Sequence, residues 1–126
     1  MLRLWGPVVA WAAVIFTASS LSFGGGGPGV PDWIKHGSAY AILSLLLCRA
    51  LAGGFPLPLS WGSSLLAVVI STAYGVSDEW HQSFVPQRHS SAADVVMDCG
   101  GAALAALVYR RLAARRFPQK AERGCQ

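Results

Sequence analysis

Charge is scarce in this chain of 126 residues: Asp, Glu, Lys and Arg make up only 13% of it, where an ordinary soluble domain carries about 25%. Set against 53% hydrophobic residues, that scarcity excludes an ordinary water-facing surface and makes lipid the solvent. Cysteine is equally thin. Cys48, Cys99 and Cys125 lie far apart with no CxxC pair, which excludes a disulfide framework and a zinc knuckle. The chain also lacks a G-x-S-x-G elbow, an H-E-x-x-H helix and a Cys/His pair with an orienting acid, so no serine, cysteine or zincin centre is indicated. The net charge of +4 is no nucleic-acid signature, because the basic residues gather in one C-terminal run behind an apolar segment. That placement suits an anionic membrane surface.

What the chain does have is long apolar runs, enough for one all-α domain over residues 1–126, a polytopic membrane protein built as a four-transmembrane-helix bundle. No charge interrupts Leu4 to Pro31, and residues 4–22 alone approach the ~20 needed to cross a bilayer core. A cleaved signal peptide has a shorter apolar core, of roughly 7 to 15 residues. The stretch FGGGGPGVP, Phe23 to Pro31, is nearly all helix breakers and reads as a loop. Three further helices are predicted over residues 33–52, 60–77 and 92–112. Asp32 is the cap candidate of the second, and Ser91 with Asp94 forms a capping box at the fourth. Residues 113–126 form a basic cytoplasmic tail whose arginines suit anionic lipid.

Lys and Arg stay on the cytoplasmic side in short loops. Arg3, Arg49, Arg110, Arg111, Arg115, Arg116, Lys120 and Arg123 fall on one side, and only Lys35 and Arg88 on the other. Both termini are therefore expected inside the cell membrane, with multiple passes between. Acids and histidines sort the opposite way: Asp32, Asp78, Glu79, Asp94 and Asp98, with His36, His81 and His89, all lie toward the outer face, and Glu122 alone stays inside.

Spacing lines these groups up. Asp32, His36 and Tyr40 share a face of the second helix; Ser71, Tyr74, Asp78, His81 and Gln82 recur at three or four residues on the third; Asp94 and Asp98 are four apart on the fourth. A charge inside the bilayer costs at least ~2.5 to 3.5 kcal/mol, so such groups face the bundle interior and pair. Asp98 lies deepest, about 7 Å into its helix at 1.5 Å per residue. Asp32 and Asp94 also suit plain capping, Arg88 plain neutralisation of Asp78 or Glu79, and Trp80, His89, Tyr40 and Tyr74 a membrane interface.

DWIKHGSAY, Asp32 to Tyr40, and YGVSDEWHQSFVPQRHSSAADVVMDCGGAALAAL, Tyr74 to Leu107, together cover about a third of the chain. They resemble the VanZ-like family of small integral membrane proteins. The resemblance places Lys35, His36, Tyr40, Tyr74, Asp78, Glu79, Gln82, Phe84, Arg88, Asp94 and Gly100 or Gly101 at the family's characteristic positions. It implies a cell-envelope membrane protein and an association with teicoplanin resistance. Two positions depart from the family pattern: Asp98 stands where Asn is usual, and Gln87 where Gly is common.

Two functions follow from the residues. In one, the outer cluster binds or acts on an anionic lipid head group of isoprenoid-phosphate type, with Asp32, Lys35, His36, Tyr40, Tyr74, Asp78, Glu79, Gln82, Arg88, Asp94 and Asp98 as binding candidates. His36, Asp78, Glu79 and His81 are its catalytic candidates, and Asp78, Glu79 and Asp94 the candidates to hold a divalent cation. In the other, the cluster is a structural network or proton relay, and the protein works through an oligomer of itself or an envelope partner. The partner class is membrane lipid and not nucleic acid. Enzyme status is open.

Overall fold

The computed structural model describes residues 1–21, 31–86 and 90–117, and there the chain forms four helices: α1 (Leu2–Ser20), α2 (Asp32–Ala52), α3 (Trp61–Gln82) and α4 (Ala92–Arg116). The Gly-rich loop, Arg88, His89 and the tail beyond Phe117 lie outside the described residues. The helices alternate in direction. At one end Arg49 donates to the Arg3 carbonyl (3.1 Å) and Tyr109 to the carbonyls of Gly54 (2.8 Å) and Leu57 (3.1 Å), while Arg110 reaches the Leu59 carbonyl and lies over the Trp61 ring. At the other end Ser19 and Ser20 of α1 meet Asp78 and His81 of α3, and His36 of α2 meets Asp98 of α4.

Local chemistry sets the boundaries. Ser60 caps α3 by accepting the Ser63 amide, and Ser91 caps α4 by accepting the Ala93 amide. α2 ends where Gly53 takes φ 80°, a left-handed turn open to glycine, and the Gly53 and Gly54 amides close onto Ala50 and Arg49. Three expectations change. Asp32 is the first helical residue of α2 and Pro31 takes the cap position. α3 runs to Gln82, because Asp78, Glu79 and His81 of DEWHQ find partners in Ser19, the Ser91 amide and Ser20, and Gln82 bonds Asp78 within the helix. α4 runs to Arg116, so Arg115 and Arg116 sit on a helix and not in a tail.

Only α1 and α4 combine the length and mean hydropathy needed to cross a membrane; α2 and α3, at 21 and 22 residues, are long enough but too polar on average. The expected four spans are thus matched by four helices, of which two pass that test. The average hides a sorting by face. Ser44, Ser64, Ser71, Asp78, Glu79, Gln82 and Asp98 are buried, while Ile34, Leu45, Leu65, Val69, Ile70, Val76 and Trp80 are exposed.

The buried positions of α4 are Asp98, Ala102, Ala106, Tyr109 and Ala113, mostly small residues that let backbones approach. A Cβ added to Gly101 would overlap the Gly37 carbonyl, so α2 and α4 pack as closely as glycine allows. Ser44 of α2 seals that contact with a bond to the Ala102 carbonyl at 2.9 Å. α1 sits against this core through Val8 and Ile15 and through two long-range bonds, Trp11 to the Ala39 carbonyl and Tyr74 to the Ala12 carbonyl.

Candidate functional site

The expected polar residues gather at one end of the bundle, in two groups of different character. Between α1 and α3, Asp78 accepts from Ser19 (2.6 Å) and from Gln82 (2.9 Å), so each of its oxygens has a donor. His81 stacks on Phe16 at 4.6 Å between centroids and bonds Ser20 at 3.1 Å. This group is satisfied, which is how a seam that fixes helix register looks.

Between α2, α3 and α4 the second group is not satisfied. His36 Nδ1 lies 3.2 Å from Asp98 Oδ1 and 3.8 Å from Glu79 Oε1. Asp98 is completely buried, its other oxygen has no hydrogen-bond partner, and a Cβ on Gly75 would stand 2.6 Å from that oxygen, so only glycine leaves room for the carboxylate. Glu79 uses Oε2 to accept the Ser91 amide at 2.8 Å while Oε1 stays without a hydrogen bond. The capping-box bond expected from Asp94 therefore comes from Glu79 on the neighbouring helix. One turn deeper, the Tyr40 and Ser71 hydroxyls are also buried without partners among the described residues. The Tyr40 ring lies 6.5 Å from His36 and 6.3 Å from Tyr74.

One ligand atom each from His36, Glu79 and Asp94 lies within 4.8 Å of the others, the spacing of a metal site. Asp78, the third carboxylate expected beside Glu79 and Asp94, turns toward α1, and His36 stands in the cluster instead. Asp32 and Lys35 pair with each other at 2.8 Å on the exposed rim of α2, with side chains 68% and 59% exposed, outside the buried group. Arg88 lies outside the described residues.

Glu79 also opens onto a cavity of about 290 Å³ between the end of α3 and the start of α4. Its polar lining is Glu79, Ser83, Ser90 and Ser91, and its apolar lining is Val76, Trp80, Ala92 and Val95. Exposed Trp80 and Phe84 pack edge to face beside it at 5.4 Å.

A family model described as VanZ/LLP1 matches residues 4–114, all of α2 and α3 and most of α1 and α4. The chain belongs to the VanZ/LLP1 family. No curated protein and no solved structure matches it. Within this VanZ/LLP1 chain, sequence reasoning passed over Ser19, Ser20, Gly75 and the Ser91 amide, each of which places a carboxylate or a histidine. The signal for the serines was present, since TASS closes an otherwise apolar helix at its outer end. For Gly75 and the Ser91 amide there was none, because a backbone group carries no side-chain pattern.

Proposed function

We propose that this VanZ/LLP1 protein spans the cell membrane with all four helices, keeps both termini in the cytoplasm, and binds a phosphorylated isoprenoid-type lipid head group at its extracytoplasmic end. The sorting of faces supports four spans. On α2 and α3, Ser44, Ser64, Ser71, Asp78, Glu79 and Gln82 are buried while Ile34, Leu45, Leu65, Val69, Ile70, Val76 and Trp80 are exposed, an arrangement suited to lipid and costly in water. The orientation rests on the arginines of α1, α2 and α4, which share the end opposite the acids.

The observation that carries the ligand class is the α3–α4 cavity. Its lining combines Glu79 and three serines with Val76, Trp80, Ala92 and Val95, an amphiphilic composition that matches a polar head with a hydrocarbon chain. A naked phosphate would be repelled there, since like charges 4 Å apart cost about 4 kcal/mol at an effective dielectric of 20. Head-group binding therefore needs a counter-charge.

The test is binding of an isoprenoid phosphate and of the matching isoprenoid alcohol to the purified protein in detergent. Saturable binding of the phosphate, weakened when Val95→Trp fills the cavity, is the expected result. Equal binding of phosphate and alcohol, or of neither, sinks the proposal. A second reading, a proton relay working through an oligomer or a partner, draws on the buried unpartnered Tyr40 hydroxyl and Asp98 Oδ2 below His36. It predicts proton flux in proteoliposomes that Asp98→Asn abolishes.

A further inference from the structure

The unsatisfied group between α2, α3 and α4 is built for more than register. We infer that His36, Glu79 and Asp94 bind one divalent transition-metal cation, and that Asp98 positions the imidazole. The inference deepens the head-group reading and rests on the same end of the bundle being the working site.

Three independent features converge. The ligand atoms of His36, Glu79 and Asp94 already lie within 4.8 Å of one another, although they come from three different helices. A cation bonded at about 2.0 to 2.2 Å to three donors in a tetrahedral shell holds them roughly 3.3 to 3.6 Å apart, so a side-chain movement of about 1 Å closes the shell. Second, Glu79 is 6% exposed and its Oε1 faces His36 with no hydrogen-bond donor. A buried carboxylate oxygen left without a donor calls for a positive partner, which a cation supplies. Third, three carboxylates surround one imidazole in a protein interior. Among the described residues Lys35 pairs with Asp32, and His36 is the one basic side chain within ion-pair distance of Glu79 and Asp98.

The donor set selects the ion. One imidazole nitrogen with two carboxylates suits Zn²⁺ or Mn²⁺, whereas Mg²⁺ and Ca²⁺ prefer oxygen alone. Asp98, at 3.2 Å from Nδ1, fits the carboxylate that accepts the Nδ1 proton and orients the ring, which leaves Nε2 as the nitrogen that takes the metal. Glu79 belongs both to this triad and to the cavity lining, so a cation here stands beside the cavity and supplies the counter-charge that a phosphate needs.

The experiment is titration of the lipid-free, full-length protein in detergent with MnCl₂, ZnCl₂ and MgCl₂, with electron spin-echo spectroscopy on the Mn²⁺ form. One Mn²⁺ or Zn²⁺ per chain is expected, bound at least 10-fold more tightly than Mg²⁺. Glu79→Gln and Asp94→Asn each weaken it 10-fold or more, and Asp98→Asn by about 10- to 100-fold. The ¹⁴N coupling to Mn²⁺ disappears in His36→Gln. Half-buried Asp94 decides the matter should Glu79→Gln fail to fold. No saturable binding up to millimolar metal, binding unchanged by Asp94→Asn, or Mn²⁺ without nitrogen coupling overturns the inference. Metal binding with no lipid binding leaves this site standing and removes the head-group reading; lipid binding with no saturable metal binding does the reverse.

Discussion

At the scale of the residue, what decides a role is whether a polar atom has found a partner. Asp78 and Asp98 are both buried aspartates at one end of the bundle, yet the first has a donor on each oxygen and the second has one oxygen bare. Gly75 makes the bare oxygen possible. Gly75→Ala puts a methyl 2.6 Å from it, so that variant should lose about 1 to 3 kcal/mol of stability, as overpacked cores do. Gly100→Ala is the control: nothing lies within 4 Å of its added Cβ, and replacing a helical glycine there should gain up to about 1 kcal/mol. Thermal unfolding of both in the same detergent checks the pair. Opposite signs support the packing account, and equal effects contradict it.

At the scale of the element, helix existence was legible from apolar runs and breakers, and the ends were less so. Ser91 announced α4 through its side chain, and the cap forms. Its partner was misread, because Glu79 and Asp94 are equally good acceptors in sequence and only the approach of α3 to α4 sets which one reaches the Ser91 amide. The end of α3 was placed too early for the same reason: DEWHQ looks like a solvated loop until Ser19 and Gln82 are seen to satisfy Asp78. Ser91→Ala should therefore cost about 1 kcal/mol through the lost cap and leave the Glu79 bond to the amide in place. Tyr109→Phe at the opposite end removes both bonds to Gly54 and Leu57 and should cost about 0.5 to 1.5 kcal/mol. Denaturation midpoints read both.

At the scale of the whole molecule, the sorting of charge was the most legible property. Basic and acidic residues separate to opposite ends in the sequence, and the alternating helices keep them apart. Which acids form one site was not legible, since His36, Glu79, Asp94 and Asp98 come together from three helices and no spacing rule spans them. Orientation has its own test in a chain whose cysteines are replaced by alanine. Phe84→Cys should react with a membrane-impermeant maleimide added to intact cells, and Phe117→Cys only after permeabilisation; the reverse pattern would invert the topology. The central claim is that the unsatisfied cluster is a binding site and not a register-fixing network. Its most direct measurement is folded yield from membranes together with isoprenoid-phosphate binding, for wild type, Glu79→Gln and Asp98→Asn. The account predicts yields within about twofold of wild type and binding lost in Glu79→Gln. Collapse of yield in both variants, or binding that persists in a folded Glu79→Gln protein, would contradict it.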